Sequence, residues 1–205
     1  MLKQFSMITT EQLGQSMSYE KYLNLLQDLM AQGKTTGPNQ DEFYVNYAKL
    51  NLQRMLRLDK TVVLNAELKA VLKKVKIKYT WLVLTEGWCG DAAQNIPVMA
   101  AIEKGCSNIF LQLLLRDENL ELMDHYLTKG SRSIPKLICL EKESLKEIFT
   151  WGPRPSEVQE IMIDLKKKET PLAEKSLLIQ KWYNADKTLT MQKEIIGLVK
   201  KFMAN

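Results

Sequence analysis

The sequence has little of cysteine and histidine, the two side chains that most structural zinc sites require. Its 205 residues include one histidine, His125, and three cysteines at irregular spacing, Cys89, Cys106 and Cys139. Because no Cys-x-x-Cys pair is present, we predict no metal site and no bound cofactor. An odd number of irregularly spaced cysteines also argues against the disulfide framework of a small secreted domain.

Long apolar runs and a strong net charge are also absent. No window approaches the ~18 apolar residues that a membrane span needs, and residues 1–16 lack the apolar core of a signal peptide. The net charge is +5, and the lysines clustered within 73–78 and 166–168 do not alternate with aromatic residues, which favours solvated surfaces over a nucleic-acid site. We therefore expect a cytoplasmic protein without nucleic-acid or membrane partners.

Both ends of the chain have helical patterns. Ser18 is a favourable capping residue, and the apolar residues after it recur at helical spacing up to Gly33. A second helix is predicted over residues 41–58 and a short one near 65–74. The sequence after Pro171 predicts two more helices.

Between these ends, strand and helix patterns alternate. The first strand, residues 77–85, contains TWLVLT, a nearly continuous apolar and β-branched run that suits a strand buried on both faces. The predicted elements that follow are helix 92–104, strand 108–114, helix 119–129, strands 136–140 and 147–151, and helix 155–168. This order predicts an α/β sheet with parallel neighbours and one added antiparallel hairpin.

Four short motifs lie in order along this α/β region. They are Trp88-Cys89-Gly90, Pro97, Gly-Ser-Arg-Ser-Ile-Pro at 130–135, and Trp151-Gly152. The first lies at a strand-to-helix junction, the second in the helix that follows, the third before a strand and the fourth after the last strand. In this order they resemble the thioredoxin-like superfamily, particularly its bacterial thioredoxin-family members with a long helical N-terminus.

The resemblance covers residues 77–168 and implies a fold and a site. The fold is a central mixed sheet flanked by helices, with an N-terminal helical extension (1–60), a thioredoxin-like domain (61–168) and a C-terminal helical extension (169–205). Cys89 would be the catalytic residue, beside a cis peptide bond that precedes Pro135. The residues expected to contact a substrate are Trp88, Gly90, Asp91, Ile134, Pro135 and Gly152.

Elementary chemistry explains why a thiol site would use these residues. A cysteine at a helix N-terminus lies near about half a positive charge and free N–H groups, which stabilise a thiolate. We therefore expect Cys89 to be exposed and to be the one reactive thiol, with Cys106 and Cys139 buried in or beside strands. A cis X–Pro bond turns the chain so that the Ile134 backbone can pair with an extended peptide, and Gly152 permits close approach.

Two positions differ from the thioredoxin pattern. Ala92 stands where the second, resolving cysteine would be, so Cys89 has no partner for an internal disulfide. Cys106 and Cys139 cannot replace it, since helix and strand geometry would place them about 25 Å and about 13 Å away from the site. Val83 stands where thioredoxins carry a buried carboxylate that moves protons to the resolving sulfur, so the two losses are consistent with each other.

Charged residues leave the pKa of the Cys89 thiol open. Asp91 is a good acid for a first helical turn, but its charge and that of Glu86 would oppose a low thiol pKa. Arg132 could offset either acid if its loop folds over the site. His125 lies in a polar helix and is expected at the surface rather than as a base for Cys89.

Three functions stay open at this point. The first is monothiol exchange, in which Cys89 forms a mixed disulfide with a protein or a low-molecular-weight disulfide and an external thiol releases it. The second is a redox-inactive binding or adaptor module that uses the groove by Pro135 or the helical extensions. The third, nucleic-acid binding, has only the lysine clusters to support it. The pH dependence of Cys89 alkylation separates the first two, and the oligomeric state stays open.

Overall fold

The architecture comes from a computed structural model, which describes residues 8–203. The helices in this range are α1 (Thr10–Gln15), α2 (Tyr19–Ala31), α3 (Glu42–Thr61), α4 (Ala66–Leu72), α5 (Gly90–Gly105), α6 (Leu120–Asp124), α7 (Ser156–Lys167), α8 (Leu172–Asp186) and α9 (Leu189–Phe202). The strands are β1 (Tyr79–Thr85), β2 (Ile109–Leu115), β3 (Lys136–Glu141) and β4 (Glu147–Trp151).

The four strands form one mixed sheet in the order β2-β1-β3-β4. β1 pairs in parallel with β2 and antiparallel with β3, which in turn pairs antiparallel with β4. Every residue of β1 is buried, as its continuous apolar sequence predicts for a central strand. The predicted fold class, a mixed sheet flanked by helices, is confirmed.

The helices from both ends of the chain pack on this sheet or on its helices. α3 lies against α5, α2 contacts α3 and β2, α9 contacts α4 and β4, and α7 packs on α8. Just before α2, Met17 exchanges two backbone hydrogen bonds with Leu113, of 2.9 and 2.8 Å, and so covers the outer edge of β2. The division into 1–60, 61–168 and 169–205 stays a prediction.

The helix predicted over residues 119–129 is shorter in the structure: α6 ends at Asp124, and a tight turn follows at residues 128–131. Thr128 and Ser131 exchange two backbone hydrogen bonds of 2.9 and 3.1 Å across this turn. Between them Lys129 has φ 50° and Gly130 has φ 75°, left-handed values that cannot continue a right-handed helix. Apolar periodicity carries no information about these two backbone conformations, so the prediction of a long helix was wrong here.

Candidate functional site

Cys89 lies where β1 has ended and α5 begins. It is the N-cap residue of α5, and its Sγ accepts a hydrogen bond from the Ala92 N–H at 3.4 Å. The thiol donates in turn to the carbonyl oxygen of Ile134 at 3.2 Å. The peptide bond between Ile134 and Pro135 is cis. The cysteine therefore joins the start of α5 to the segment that precedes β3.

Residues N-terminal to the sheet hold the turn around Cys89. The Thr36 hydroxyl oxygen accepts from the Gly87 N–H at 2.8 Å, and the buried Asn51 amide donates to the Gly87 carbonyl oxygen at 3.0 Å. Tyr47 of α3 covers Gly90, where a Cβ would lie only 2.8 Å from the tyrosine Oη. The missing side chain at Gly90 thus lets α3 lie across the start of α5.

The expectation of an exposed thiol was wrong. Cys89 is 8% exposed, about the same as Cys106 at 7%, while Cys139 is fully buried as predicted. Burial, and secondly the charge of Asp91, raise the pKa of the Cys89 thiol to about 12, against smaller opposing contributions from backbone N–H groups and Arg154. Proximity to a helix N-terminus does not offset the loss of water around the sulfur.

The acid next to the cysteine has a partner that sequence reasoning missed. Asp91 Oδ2 accepts from the Nε and Nη2 of Arg154 at 2.9 and 2.5 Å. Its Oδ1 accepts from the Tyr183 hydroxyl at 2.8 Å, so that both carboxylate oxygens are occupied. Arg132, the partner considered from the sequence, instead forms an exposed ion pair with Asp124. Asp91 therefore links α5 to residues after β4 and to α8.

The structure brings the other predicted site residues to the same end of the sheet. Gly152 contacts Pro135 so closely that an added Cβ would lie 2.2 Å from the Pro135 carbonyl oxygen. Trp88 is half-buried between Tyr44 and Arg116. The ring centroids of Trp88 and Tyr44 are 5.8 Å apart, and the Arg116 guanidinium lies 4.8 Å from the Trp88 ring centre. His125, by contrast, is exposed and lines a separate surface depression.

A cavity of about 250 Å³ opens beside this site. Its floor includes Trp88, Gly90 and Asp91, and its walls come from the two helices α3 and α8 with one residue of α7. Neither wall can be predicted from the sequence, because nothing local to α3 or α8 indicates that two helices so distant in the chain meet over the start of α5. The only available signal was the set of aromatic residues near the start of α3.

Glu86, three residues before the cysteine, is a buried carboxyl behind the site. Its side chain is fully buried, and its Oε1 accepts from the Asp117 N–H at 2.8 Å. Burial raises the pKa of this carboxyl to about 7, although hydrogen bonds from Thr36 and from the Asp117 N–H act in the opposite direction. Near neutral pH, Glu86 is therefore close to half protonated.

This shifted pKa predicts a pH-dependent stability. The folded state keeps a proton on Glu86 that the unfolded state releases above about 4.5, so the contribution of Glu86 is complete below that pH and is lost as the pH rises through about 7. Glu86→Gln should remove this loss, which is at most roughly 3 kcal/mol between pH 5 and 8. Urea unfolding of both proteins at the two pH values measures it.

The matched control for this prediction is Glu121→Gln, which changes an exposed carboxyl on α6. We expect it to leave the pH dependence of unfolding as in the original protein. An equal change of stability between pH 5 and 8 in all three proteins would mean that the Glu86 carboxyl titrates normally.

Comparison with known proteins identifies the family. Residues 37–167 match the family model described as thioredoxin. A protein of unknown function from Pseudomonas aeruginosa, known from its crystal structure, is 15% identical with a TM-score of 0.57, and the match covers 90% of this chain and 98% of that one. An HIV epitope scaffold is 14% identical with a TM-score of 0.56, covering 90% and 99%. No curated protein matches the sequence.

The chain belongs to the thioredoxin family, and its wider architecture recurs in these solved structures. At such low identity the two structures show the fold alone. Within residues 8–203, no group of three or more histidine, cysteine, aspartate or glutamate side chains could hold a metal ion. In the same range no helix is long and apolar enough to cross a membrane.

Proposed function

We propose that this protein is a binding module built on a thioredoxin fold, in which Cys89 stays a protonated thiol. The observation that carries the proposal is the placement of this thiol, which is buried and donates its hydrogen to the Ile134 carbonyl oxygen. Because burial and the Asp91 charge raise the pKa of this thiol well above its ordinary value, very little thiolate is present near neutral pH. Since the thiolate is the nucleophile, this placement opposes thiol chemistry.

The surroundings of Cys89 support the same proposal. Ala92, at the position of a resolving cysteine, is 1% exposed and packs in the core, and Val83 is fully buried where a thioredoxin would carry its proton-transferring acid. The helical extensions, proposed as 1–60 and 169–205, supply Tyr47 and Tyr183 above the start of α5. A covered site of this kind suits a ligand held beside Cys89 better than an extended protein disulfide docked against it.

Monothiol exchange is the second candidate, and one observation favours it. The Ala92 N–H at the start of α5 points at Sγ, where it would stabilise a thiolate once the site opened. In that reaction the Cys89 thiolate attacks one sulfur of a disulfide, the S–S bond breaks, and the other sulfur leaves as a thiolate. The Cys89 proton passes to solvent, and an external low-molecular-weight thiol later releases the mixed disulfide.

Alkylation of Cys89 across pH separates the two candidates. The native protein would be treated with iodoacetamide between pH 6 and 10, and modification of each cysteine followed by peptide mass spectrometry. If Cys89 is held as a neutral thiol, it should react about 10³-fold more slowly at pH 8 than a free thiol with a pKa of about 8.5. Cys139, fully buried in β3, serves as the internal reference for a closed site.

The same protein unfolded in urea provides the control, because Cys89 should then react like an ordinary thiol. An apparent pKa below about 9 for native Cys89, together with rapid mixed-disulfide formation with glutathione disulfide, would overturn the proposal in favour of monothiol exchange. Slow alkylation up to pH 10 and no mixed disulfide would support the binding module.

A further inference from the structure

The cavity between α3 and α8 has an aromatic wall that is already arranged. Phe43 and Tyr47 lie nearly parallel, with ring centroids 6.0 Å apart and an interplanar angle of 11°. Tyr44 meets Trp88 edge-on with centroids 5.8 Å apart. Aromatic faces and edges fixed in this way favour a planar ring that packs against them. Phe43 is 54% exposed and leaves apolar surface at the cavity for an occupant to cover.

The opposite wall is apolar with a polar rim. Leu172 and Ile179 of α8 and Met162 of α7 line it, and Leu172 is 60% exposed. Ser176 and Gln180 of α8 add polar groups to the lining. An apolar pocket with a few polar groups is the usual composition of a small-molecule site.

The charge in this cavity is unbalanced. The charge of Asp91 is balanced by Arg154, and its other oxygen accepts from the Tyr183 hydroxyl. Arg54, the cationic side chain of the lining, donates to the amide oxygen of Asn51 at 2.9 Å and lies 5.5 Å from the ring centre of Tyr47. Among residues 8–203, no carboxylate lies within ion-pair distance of its guanidinium. A half-buried guanidinium without a carboxylate is suited to bind an anionic group.

The volume limits the size of the occupant. A dry cavity of about 150 Å³ can hold one benzene ring. The cavity here, of about 250 Å³, therefore has room for one ring and a short acidic chain. We propose that it binds a small aromatic carboxylate, with the ring against the aromatic wall of α3 and the carboxylate on Arg54. This assignment deepens the proposed binding function and rests on it.

Calorimetric titration with two matched probes tests the assignment. Phenylacetate carries the ring and the carboxylate, and 2-phenylethanol keeps the ring but has no charge. We expect phenylacetate to bind at least tenfold more tightly than the alcohol, because a charged hydrogen-bonded pair is worth about 1.5 kcal/mol or more. Arg54→Met should weaken phenylacetate binding about tenfold and leave the alcohol nearly unchanged, while Arg54→Lys should retain part of the difference.

Arg57→Met is the matched control, since Arg57 lies on the same helix, is exposed, and lines a different depression. It should leave both affinities unchanged. Amide chemical-shift changes in NMR spectra with phenylacetate should centre on Gly90 and Ser176, which locates the probe without any substitution. Unfolding curves of the variants show that each one is folded.

Three results would overturn the assignment: no binding of phenylacetate at 10 mM, equal binding of acid and alcohol, or shift changes away from Gly90 and Ser176. Such a failure is distinct from failure of the proposed function. If Cys89 stays unreactive while phenylacetate does not bind, the ligand class is wrong and the binding module stands. If Cys89 proves acidic and reactive, the binding module itself fails.

Discussion

Replacing Gly152 by alanine is expected to remove a large part of the stability of the folded protein. Gly152 follows β4 with φ 112°, a backbone conformation that L side chains rarely adopt. An added Cβ would lie 2.2 Å from the carbonyl oxygen of Pro135 and 3.5 Å from the Cα of Lys136. These neighbours are backbone atoms, so the contact cannot be relieved by rotating a side chain.

The expected loss for Gly152→Ala is roughly 2–6 kcal/mol, from backbone strain together with overpacking. This is comparable with the whole stability of many domains, about 5–15 kcal/mol. Urea unfolding followed by circular dichroism measures it. The end of β4 would have to move away from Pro135, so we also expect reduced protection of the β3 and β4 amides in hydrogen exchange.

Gly197→Ala is the matched control for this prediction. Gly197 lies inside α9, and an added Cβ there would meet nothing within 4 Å. Because glycine is a poor helix former, this variant should be more stable by about 0.5–1 kcal/mol. If Gly152→Ala changed stability as little as Gly197→Ala does, then β4 and the Pro135 segment would not be held in contact.

The contrast between these two glycines shows what a local sequence pattern can predict. Trp151-Gly152 has a fixed place in the order of thioredoxin motifs, and that order placed Gly152 correctly beside Pro135. The strands were predicted to within two residues because buried runs such as TWLVLT need no information from elsewhere in the chain. Periodicity and motif order together were enough for the strands of the sheet and for the proximity of Cys89, Pro135 and Gly152. The functional roles of these residues stay a prediction.

The residues that cover the start of α5, and the charge balance around Cys89, could not be predicted in the same way. Tyr47 and Tyr183 meet the start of α5 only because α3 and α8 pack there, which depends on the whole fold. Arg132 was considered as a partner of Asp91 or Glu86 on the condition that its loop folds over the site. The actual partner, Arg154, comes from the segment after β4. Burial of the thiol follows from the same packing.

Asp91→Asn should destabilise the protein strongly while making Cys89 more acidic. Arg154 and Asp91 form an ion pair with side chains only 13% and 11% exposed, so the substitution leaves an unpaired, largely buried guanidinium. Breaking a buried pair in this way costs about 3–5 kcal/mol. The Tyr183 hydroxyl also loses a charged acceptor, which adds to the cost.

The substitution should also lower the pKa of the Cys89 thiol. Burial is the first cause of the high thiol pKa and the Asp91 charge is the second, so removing that charge should lower the pKa while the remaining burial keeps it above the value of a free thiol. In the absence of denaturant, where both proteins are folded, Cys89 of the variant should therefore be alkylated faster at pH 9 than Cys89 of the original protein.

Asp124→Asn provides the matched control for the lost ion pair. It removes the carboxylate partner of Arg132. The side chains of Arg132 and Asp124 are 44% and 47% exposed, and an exposed ion pair of this kind contributes little to stability. Changing both members of the buried pair, with Asp91→Leu and Arg154→Met together, should recover part of the stability that Asp91→Asn loses, since no buried charge then remains unpaired.

Urea unfolding and Cys89 alkylation of these variants give two independent readouts. If Asp91→Asn were as mild as Asp124→Asn, solvent would be screening the Arg154 pair, and the covered site above α5 would be open in solution. An unchanged alkylation rate with a large loss of stability would instead mean that burial alone sets the thiol pKa. A stability loss coupled to faster alkylation is expected, because the same carboxylate holds α8 over the site and keeps the Cys89 proton in place.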